Sequence, residues 1–491
     1  MSKTGKNILF VFTAFTFSKI VGAFTSFALP KILEPESYGV WVTLLLIISY
    51  SPILAFGTVE ALLRQYPYYI GKGEDKKARE IERSVAGSIV ISAAILLIAG
   101  YLLTVVFNLA VIETYLLEIR LIFVTAVICL FSAFLFHRFA AHQVFYTYGI
   151  VDSLRAVITL LIVCSFAWIW GLRGAVSGYL VTEIIVCCIS AYLSKRYCGS
   201  VTADIDSKRI WSAIKIGFPI TIIWWVMTLQ TSVDRVISAA YLGAIQTGYY
   251  GLGISIVSML LLVPQAMNRV LYPRINMAMG QQSHAFEISK LVIYPVRILS
   301  ITTPLLIGVL IIMLPLIYNC IFPKYIPGVT AAQILLLSIF FVGLSGNGIN
   351  YLIANNKQMQ LLAQVTICLA VNAITAFLMV RMGYGIEGIA ISTCIAAIIL
   401  ASLIWTTVFD KLGYTTVDKW KELLSLCLPI IALIALVGTM KLFLPSLLDS
   451  KDEMTIVYAL ILTTAYAVVI AFVPPLKRSS RELIQFIRVD A

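Results

Sequence analysis

The chain has 491 residues, of which 60% are hydrophobic and only 12% charged, and its mean hydropathy is +0.96. A soluble domain carries about 25% charged residues, so this composition excludes one and puts most of the chain in lipid. Apolar runs of about 20 residues, rather than alternating runs of about ten, exclude a β-barrel and predict helices.

In chain order the runs predict fourteen spans: 7–30, 38–63, 84–108, 115–136, 149–170, 174–194, 210–230, 247–268, 291–317, 329–353, 359–380, 385–405, 423–444 and 455–474. The first contains Lys19 and is too long for a signal-peptide core, so it is read as retained. The fourth opens with Glu118 and Arg120. Pro52 and Pro219 interrupt the second and seventh at roughly corresponding places, where helix breaks would suit bending. The fold class expected is an all-α polytopic membrane protein.

Two internal matches point to a duplicated unit. Setting Gly39 on Gly248, an offset of 209 residues, also aligns Leu33 with Leu242 and Trp41 with Tyr250. Independently, Gly171-Leu172-Arg173-Gly174 matches Gly385-Ile386-Glu387-Gly388 at an offset of 214. A repeat of about 210 residues is too long for a solenoid and is common in transporters. The expected division is residues 1–200 for one lobe (spans 1–6), 201–410 for the second (spans 7–12) and 411–491 for two extra helices and a tail.

Orientation follows from Lys and Arg. Of the 36, 24 fall in one set of loops together with both termini, eight in the opposite set and four inside spans. This bias predicts both termini cytoplasmic. It also accounts for much of the net charge of +12, leaving little for nucleic acid to explain. Nine cysteines, seven of them inside apolar runs and none in a Cys-x-x-Cys or Cys/His cluster, predict neither a disulfide framework nor a metal site. His137, His142 and His284 are read as solvated loop residues, and Trp168, Trp170, Trp224 and Trp225 as interface anchors or packing.

No loop exceeds roughly twenty residues, which leaves no room for a soluble catalytic domain, and no P-loop, Gly-x-Ser-x-Gly, His-Glu-x-x-His or paired-acid signature occurs. An enzyme is therefore not expected, and a secondary carrier or flippase is. Ionisable groups at depth cost about 2.5–3.5 kcal/mol on insertion scales and mark cavities or buried pairs. Lys19 lies near the middle of the first span, either on a cavity wall or in an ion pair with Glu183. Arg155 (near Asp152), Lys215 and Arg297 lie one to two turns from the cytoplasmic edge, within snorkelling reach. Arg64 is four residues from Glu60 and able to pair with it. Together these five cations predict a basic vestibule for an anionic headgroup such as a pyrophosphate. Glu60, Glu183 and Asp234 are the coupling or gating candidates. Asp234 with Arg235 reads more readily as a local bridge. No cofactor is called for, and a proton or sodium ion is the candidate coupling ion.

The segments Leu-x-Pro-Glu-x-Tyr-Gly-x-Trp at 33–41, Phe-Gly-x-x-x-Ala-Leu-x-Arg at 56–64, Val-Asp-Arg-x-Ile at 233–237 and Leu-Gly-x-x-x-x-Gly-x-Tyr at 242–250 resemble those of the bacterial polysaccharide-repeat (O-antigen type) flippases. These belong to the multidrug/oligosaccharidyl-lipid/polysaccharide exporter superfamily. The Ile-Phe-Pro-Lys-Tyr-Ile-Pro-Gly loop at 321–328 fits as well. The resemblance implies two six-helix lobes around a central cavity plus two C-terminal helices, in a bacterial inner membrane. It implies carriage of an undecaprenyl-pyrophosphate-linked oligosaccharide to the outer leaflet, with a polysaccharide polymerase and glycosyltransferases as partners. The alternatives are a cation-coupled drug exporter of the same superfamily, a lipid II flippase, and a non-transporting scaffold for glycan-synthesis enzymes.

Overall fold

The computed structural model describes residues 3–106, 114–280 and 285–443, together with 458, 461–466 and 468. Among these there is no strand; the elements are helices α1 (Lys3–Ile32), α2 (Pro35–Tyr50), α3 (Thr58–Gly71), α4 (Asp75–Val106), α5 (Leu116–Ala141), α6 (Phe145–Cys198), α7 (Ser207–Gln230), α8 (Val233–Tyr241), α9 (Gly243–Leu260), α10 (Leu262–Gly280), α11 (Ala285–Ile321), α12 (Val329–Ala354), α13 (Gln358–Arg381), α14 (Gly385–Lys411) and α15 (Thr416–Phe443). Short 3-10 turns occupy Ser51–Ala55 and Pro323–Gly328. The chain divides into two compact units, Met1–Ala239 and Ala240–Ala491. Helix α7 belongs to the first.

Ten of the described helices are long and apolar enough to cross a membrane, and there are eleven if α9 and the start of α10, bent by 44°, form one span. The difference from fourteen has a structural origin. Helix α6 runs for 54 residues and covers the fifth and sixth expected spans, folded back at Gly171, whose φ of 61° and ψ of −136° are not helical. The first expected span lies on α1, which is not among the ten. The last, 455–474, falls largely outside the described residues.

Both glycine motifs found in the sequence make the same turn. Gly171 and Gly385 take the positive φ that a side chain resists, at 61° and 58°. Three residues on, Gly174 leaves no room for a Cβ against the Phe166 carbonyl, and a Cβ on Gly388 would meet those of Met379 and Tyr384 at 2.7 and 2.8 Å. The first glycine turns the chain and the second lets the new helix lie on the old one. The other aligned pair fits too. Trp41 meets Tyr179 edge-on at 5.8 Å, and its counterpart Tyr250 reaches Thr393 at 3.4 Å; Tyr179 and Thr393 are themselves 214 residues apart.

The second span of the first unit is broken. Helix α2 stops at Tyr50, Pro52 enters the 3-10 turn, and Phe56 and Gly57 take left-handed conformations (φ 46° and 82°) before α3 begins. Backbone groups freed at depth need partners. Ser92 of α4 donates to the Leu54 carbonyl (2.6 Å) and Thr58 to that of Ala55 (2.9 Å). Pro219 makes no such break: α7 runs straight through it. The counterpart of the Pro52 break lies at Leu261, between α9 and α10.

Helices α3, α4 and α5 bury Val59, Leu62, Val85, Ile89, Leu130 and Phe134 as the main core of the first unit. Helix α7 joins them through a glycine-on-glycine crossing, in which a Cβ on Gly217 or Gly57 would collide with the other's backbone. The second unit is centred on α12, which buries Leu335, Leu336, Phe340, Leu344 and Leu352.

Overpacking a closed contact costs about 1–3 kcal/mol or more. Gly217→Val is therefore expected to lower the thermal midpoint of the detergent-purified protein by several degrees. Gly22→Ala, at a position where a Cβ meets nothing within 4 Å, is expected to leave it unchanged. Equal midpoints for the two variants would refute the crossing.

Candidate functional site

The charged groups of the spans sort into those with partners and those without. The Gly171 fold sets Arg155, on the first limb of α6, beside Glu183 on the second. A continuous helix would hold them about 42 Å apart; here Nη2 donates to Oε2 at 2.5 Å. Glu183 is buried, Arg155 is partly exposed, and the guanidinium lies over the Phe136 ring at 5.1 Å. The partner of Glu183 is thus Arg155, not Lys19. In the second unit Arg297 of α11 donates through Nε and Nη2 to Glu422 of α15, both at 2.7 Å. Buried Asp234 accepts from its neighbour's backbone N–H at 2.7 Å, with the Arg235 Nε at 3.9 Å. That is the local bridge.

Lys19, Arg64 and Lys215 make no ion pair among the described residues. All three are exposed side chains of the first unit. Lys19 lies over Phe15 (5.1 Å) and Lys215 over Trp211 (5.8 Å). Arg64 makes no ion pair with Glu60 despite the four-residue spacing. The Gly57–Gly217 crossing sets α3 beside α7.

Beside this crossing the break in the second span opens a cavity of about 180 Å³. Its walls include Ser49, Pro52 and Ile53 at the break, Glu60 of α3, His137 of α5, and Thr221, Trp224, Trp225 and Thr228 of α7. Two readings from the sequence are corrected here. Trp224 and Trp225 line a cavity, and His137, held by the Ala133 carbonyl at 2.6 Å, faces it.

His142 is also not solvated. Its Nε2 donates to the Glu82 carboxylate at 2.8 Å, its Nδ1 lies 3.2 Å from the Tyr66 hydroxyl, and the ring stacks on that of Tyr66 at 4.2 Å. Arg138 is buried as well. It donates to Glu82 (2.6 Å), Ser194 (2.5 Å) and the Gly199 carbonyl (3.0 Å). Burial first, and then the Glu82 carboxylate, push the Tyr66 phenol up to about 12. This network ties α3, α4, α5 and the end of α6 together. His284 lies outside the described residues.

A multi-pass, all-α membrane protein of two units with matching breaks and matching glycine turns belongs to the class of polytopic carriers. The sequence matches the family described as "Polysaccharide biosynthesis protein" over residues 4–279, more than half of its length, and the chain belongs to that family. Solved structures share its fold. A lipid II flippase, MurJ, in an inward closed conformation is similar with a TM-score of 0.72 at 16% identity, covering 94% of this chain and 99% of that one. An outward-facing MATE-family multidrug resistance transporter of the MOP superfamily gives 0.61 at 13% identity, covering 83% and 96%. A MOP superfamily transporter from Pyrococcus furiosus, described as having a binding pocket of reversed polarity, gives 0.56 at 14% identity, covering 84% and 97%. At such identities the likeness is one of fold. Comparison with curated protein sequences gives no match. The family and these neighbours are transporters and flippases, not enzymes.

Removing one partner of a buried ion pair costs about 3–5 kcal/mol, because the other charge is stranded. Glu82→Ala is expected to strand Arg138 and to strip folded protein from membrane extracts. Adding Arg138→Met is expected to restore part of it, as read by size-exclusion recovery. A Glu82→Ala variant as stable as the parent would show that the network does not hold the helices.

Proposed function

We propose that the chain moves an undecaprenyl-pyrophosphate-linked oligosaccharide from the cytoplasmic to the periplasmic leaflet of a bacterial inner membrane, for assembly of a surface polysaccharide. The termini lie in the cytoplasm, the lipid tail stays in the bilayer, and the headgroup and glycan cross by alternating access. Glycosyltransferases supply the lipid-linked substrate and a polymerase consumes it.

One observation carries the reading: three cations of the first unit, Lys19, Arg64 and Lys215, make no ion pair among the described residues. A cation in or beside the hydrocarbon with no carboxylate partner is free to meet an anion, and a diphosphate accepts several charge-assisted hydrogen bonds at once. Arg155 and Arg297 carry carboxylate partners, so their charge is matched before any substrate arrives. We therefore place Lys19, Arg64 and Lys215 first among the headgroup contacts. Of the coupling candidates, Glu183 and Asp234 are likewise matched by arginines, whereas Glu60 is not.

Deletion of the chain is expected to leave lipid-linked repeat units on the cytoplasmic leaflet and to remove the surface glycan. Normal surface glycan in such a strain, with no second carrier present, would refute the reading. Lys19→Met is expected to lower export about tenfold, the worth of one hydrogen bond to a charged group. Lys19→Arg is expected to retain most of it, both variants being compared at equal membrane abundance by immunoblot.

A further inference from the structure

The cavity at the broken second span is not accounted for by the cationic residues. Its volume, about 180 Å³, is that of about six waters at ~30 Å³ each. This is too small for a repeat unit and about right for one sugar ring. Its wall is mainly apolar and aromatic. Three polar groups on its lining residues have no partner: the Glu60 carboxylate makes no hydrogen bond among the described residues, and Thr221 Oγ1 and Trp225 Nε1 are buried and unpaired.

These three groups constrain the ligand. An indole N–H only donates, so it needs an acceptor; a carboxylate only accepts, so it needs a donor. A bare cation would satisfy Glu60 and leave Trp225 unpaired. An anion would satisfy Trp225 and be repelled by Glu60. A neutral ligand rich in hydroxyls satisfies both, since each hydroxyl donates once and accepts twice. The C–H face of a pyranose is apolar with outward hydrogens, and it matches the negative face of an indole. Mostly apolar walls with a few placed polar groups are the usual form of a small-ligand site.

We infer that this cavity is a subsite for a single neutral sugar ring of the transported glycan, with Glu60 accepting from and Trp225 donating to its hydroxyls. The inference rests on the reading of the substrate as a lipid-linked glycan and adds where in the first unit a sugar of that glycan is recognised. A headgroup held by Arg64 and Lys215 and a sugar held in the cavity would both be bound by residues of α3 and α7.

Saturation-transfer-difference NMR on the full-length purified protein tests this, with a panel of free neutral hexoses and N-acetylhexosamines as probes at millimolar concentration. Transfer to at least one sugar is expected. It should weaken about tenfold in Thr221→Val and in Glu60→Gln, and vanish in Trp225→Leu, with thermal midpoints unchanged for the first two. No transfer to any sugar, or transfer unaltered in all three variants, would overturn the inference. Displacement of the sugar by the aromatic cation tetraphenylphosphonium, lost in Glu60→Gln, would also overturn it in favour of an organic-cation site. Export in the deletion strain is scored separately. Normal export sinks the flippase reading, whereas lost export with no sugar binding sinks only the subsite.

Discussion

A cation inside a hydrocarbon slab can reach outward to the headgroups, find a carboxylate, or be left for an anion that comes and goes. Two of the five candidate cations have taken the second course, Arg155 with Glu183 and Arg297 with Glu422. Such pairs form readily only when folding brings the partners together without leaving other polar groups stranded. For Arg155 the chain reversal at Gly171 does this. The remaining cations of the first unit are left exposed, which is the condition a transient anionic headgroup requires. The division between matched and unmatched charge, more than the number of charges, separates scaffold from site.

That division depends on glycine. Helices in lipid gain little from burying apolar surface against each other, so they need close backbone approach. Gly174, Gly388 and the Gly57–Gly217 crossing provide it. Because the backbones touch at Gly57 and Gly217, α7 lies near enough to α3 for Thr221 and Trp225 to share a cavity with Glu60. A bulkier crossing would open that cavity to lipid. The packing device and the proposed subsite are therefore the same local structure.

Much of this was legible in the sequence. Span positions follow from hydropathy, and the repeat shows in Gly171/Gly385 and Trp41/Tyr250, residues whose steric duties are the same in both units. What was not legible depended on contacts between distant segments. Lys19 was the cation set against Glu183, and only the α6 reversal brings Arg155 there instead. Pro219 looked like a break because proline removes a hydrogen bond, yet the helix absorbs it, while the break at Leu261 falls just before Pro264, which has no N–H to give the Leu260 carbonyl. His142 read as a loop residue because it follows an apolar run; a carboxylate on a neighbouring helix, Glu82, meets it there. Trp224 and Trp225 read as interface anchors because exposed indoles are usual there, and nothing in their neighbourhood along the chain shows the gap at Pro52.

The structural neighbours include multidrug exporters, so charge must decide between an organic cation and a lipid-linked anion. A cationic guest needs carboxylates in excess along its path. In the first unit Glu118, Glu183 and Asp234 each face an arginine, which removes them as hosts for a positive ligand. Glu60 alone among the coupling candidates keeps an unmatched carboxylate, and it shares its cavity with an unpaired indole N–H that a cation cannot satisfy. On the other side stand Lys19, Arg64 and Lys215. Each would raise the free energy of a cation passing near it and lower that of a diphosphate, and at low dielectric the difference grows with every water displaced. The same three side chains that make a drug exporter costly are the ones a pyrophosphate-linked glycan would need.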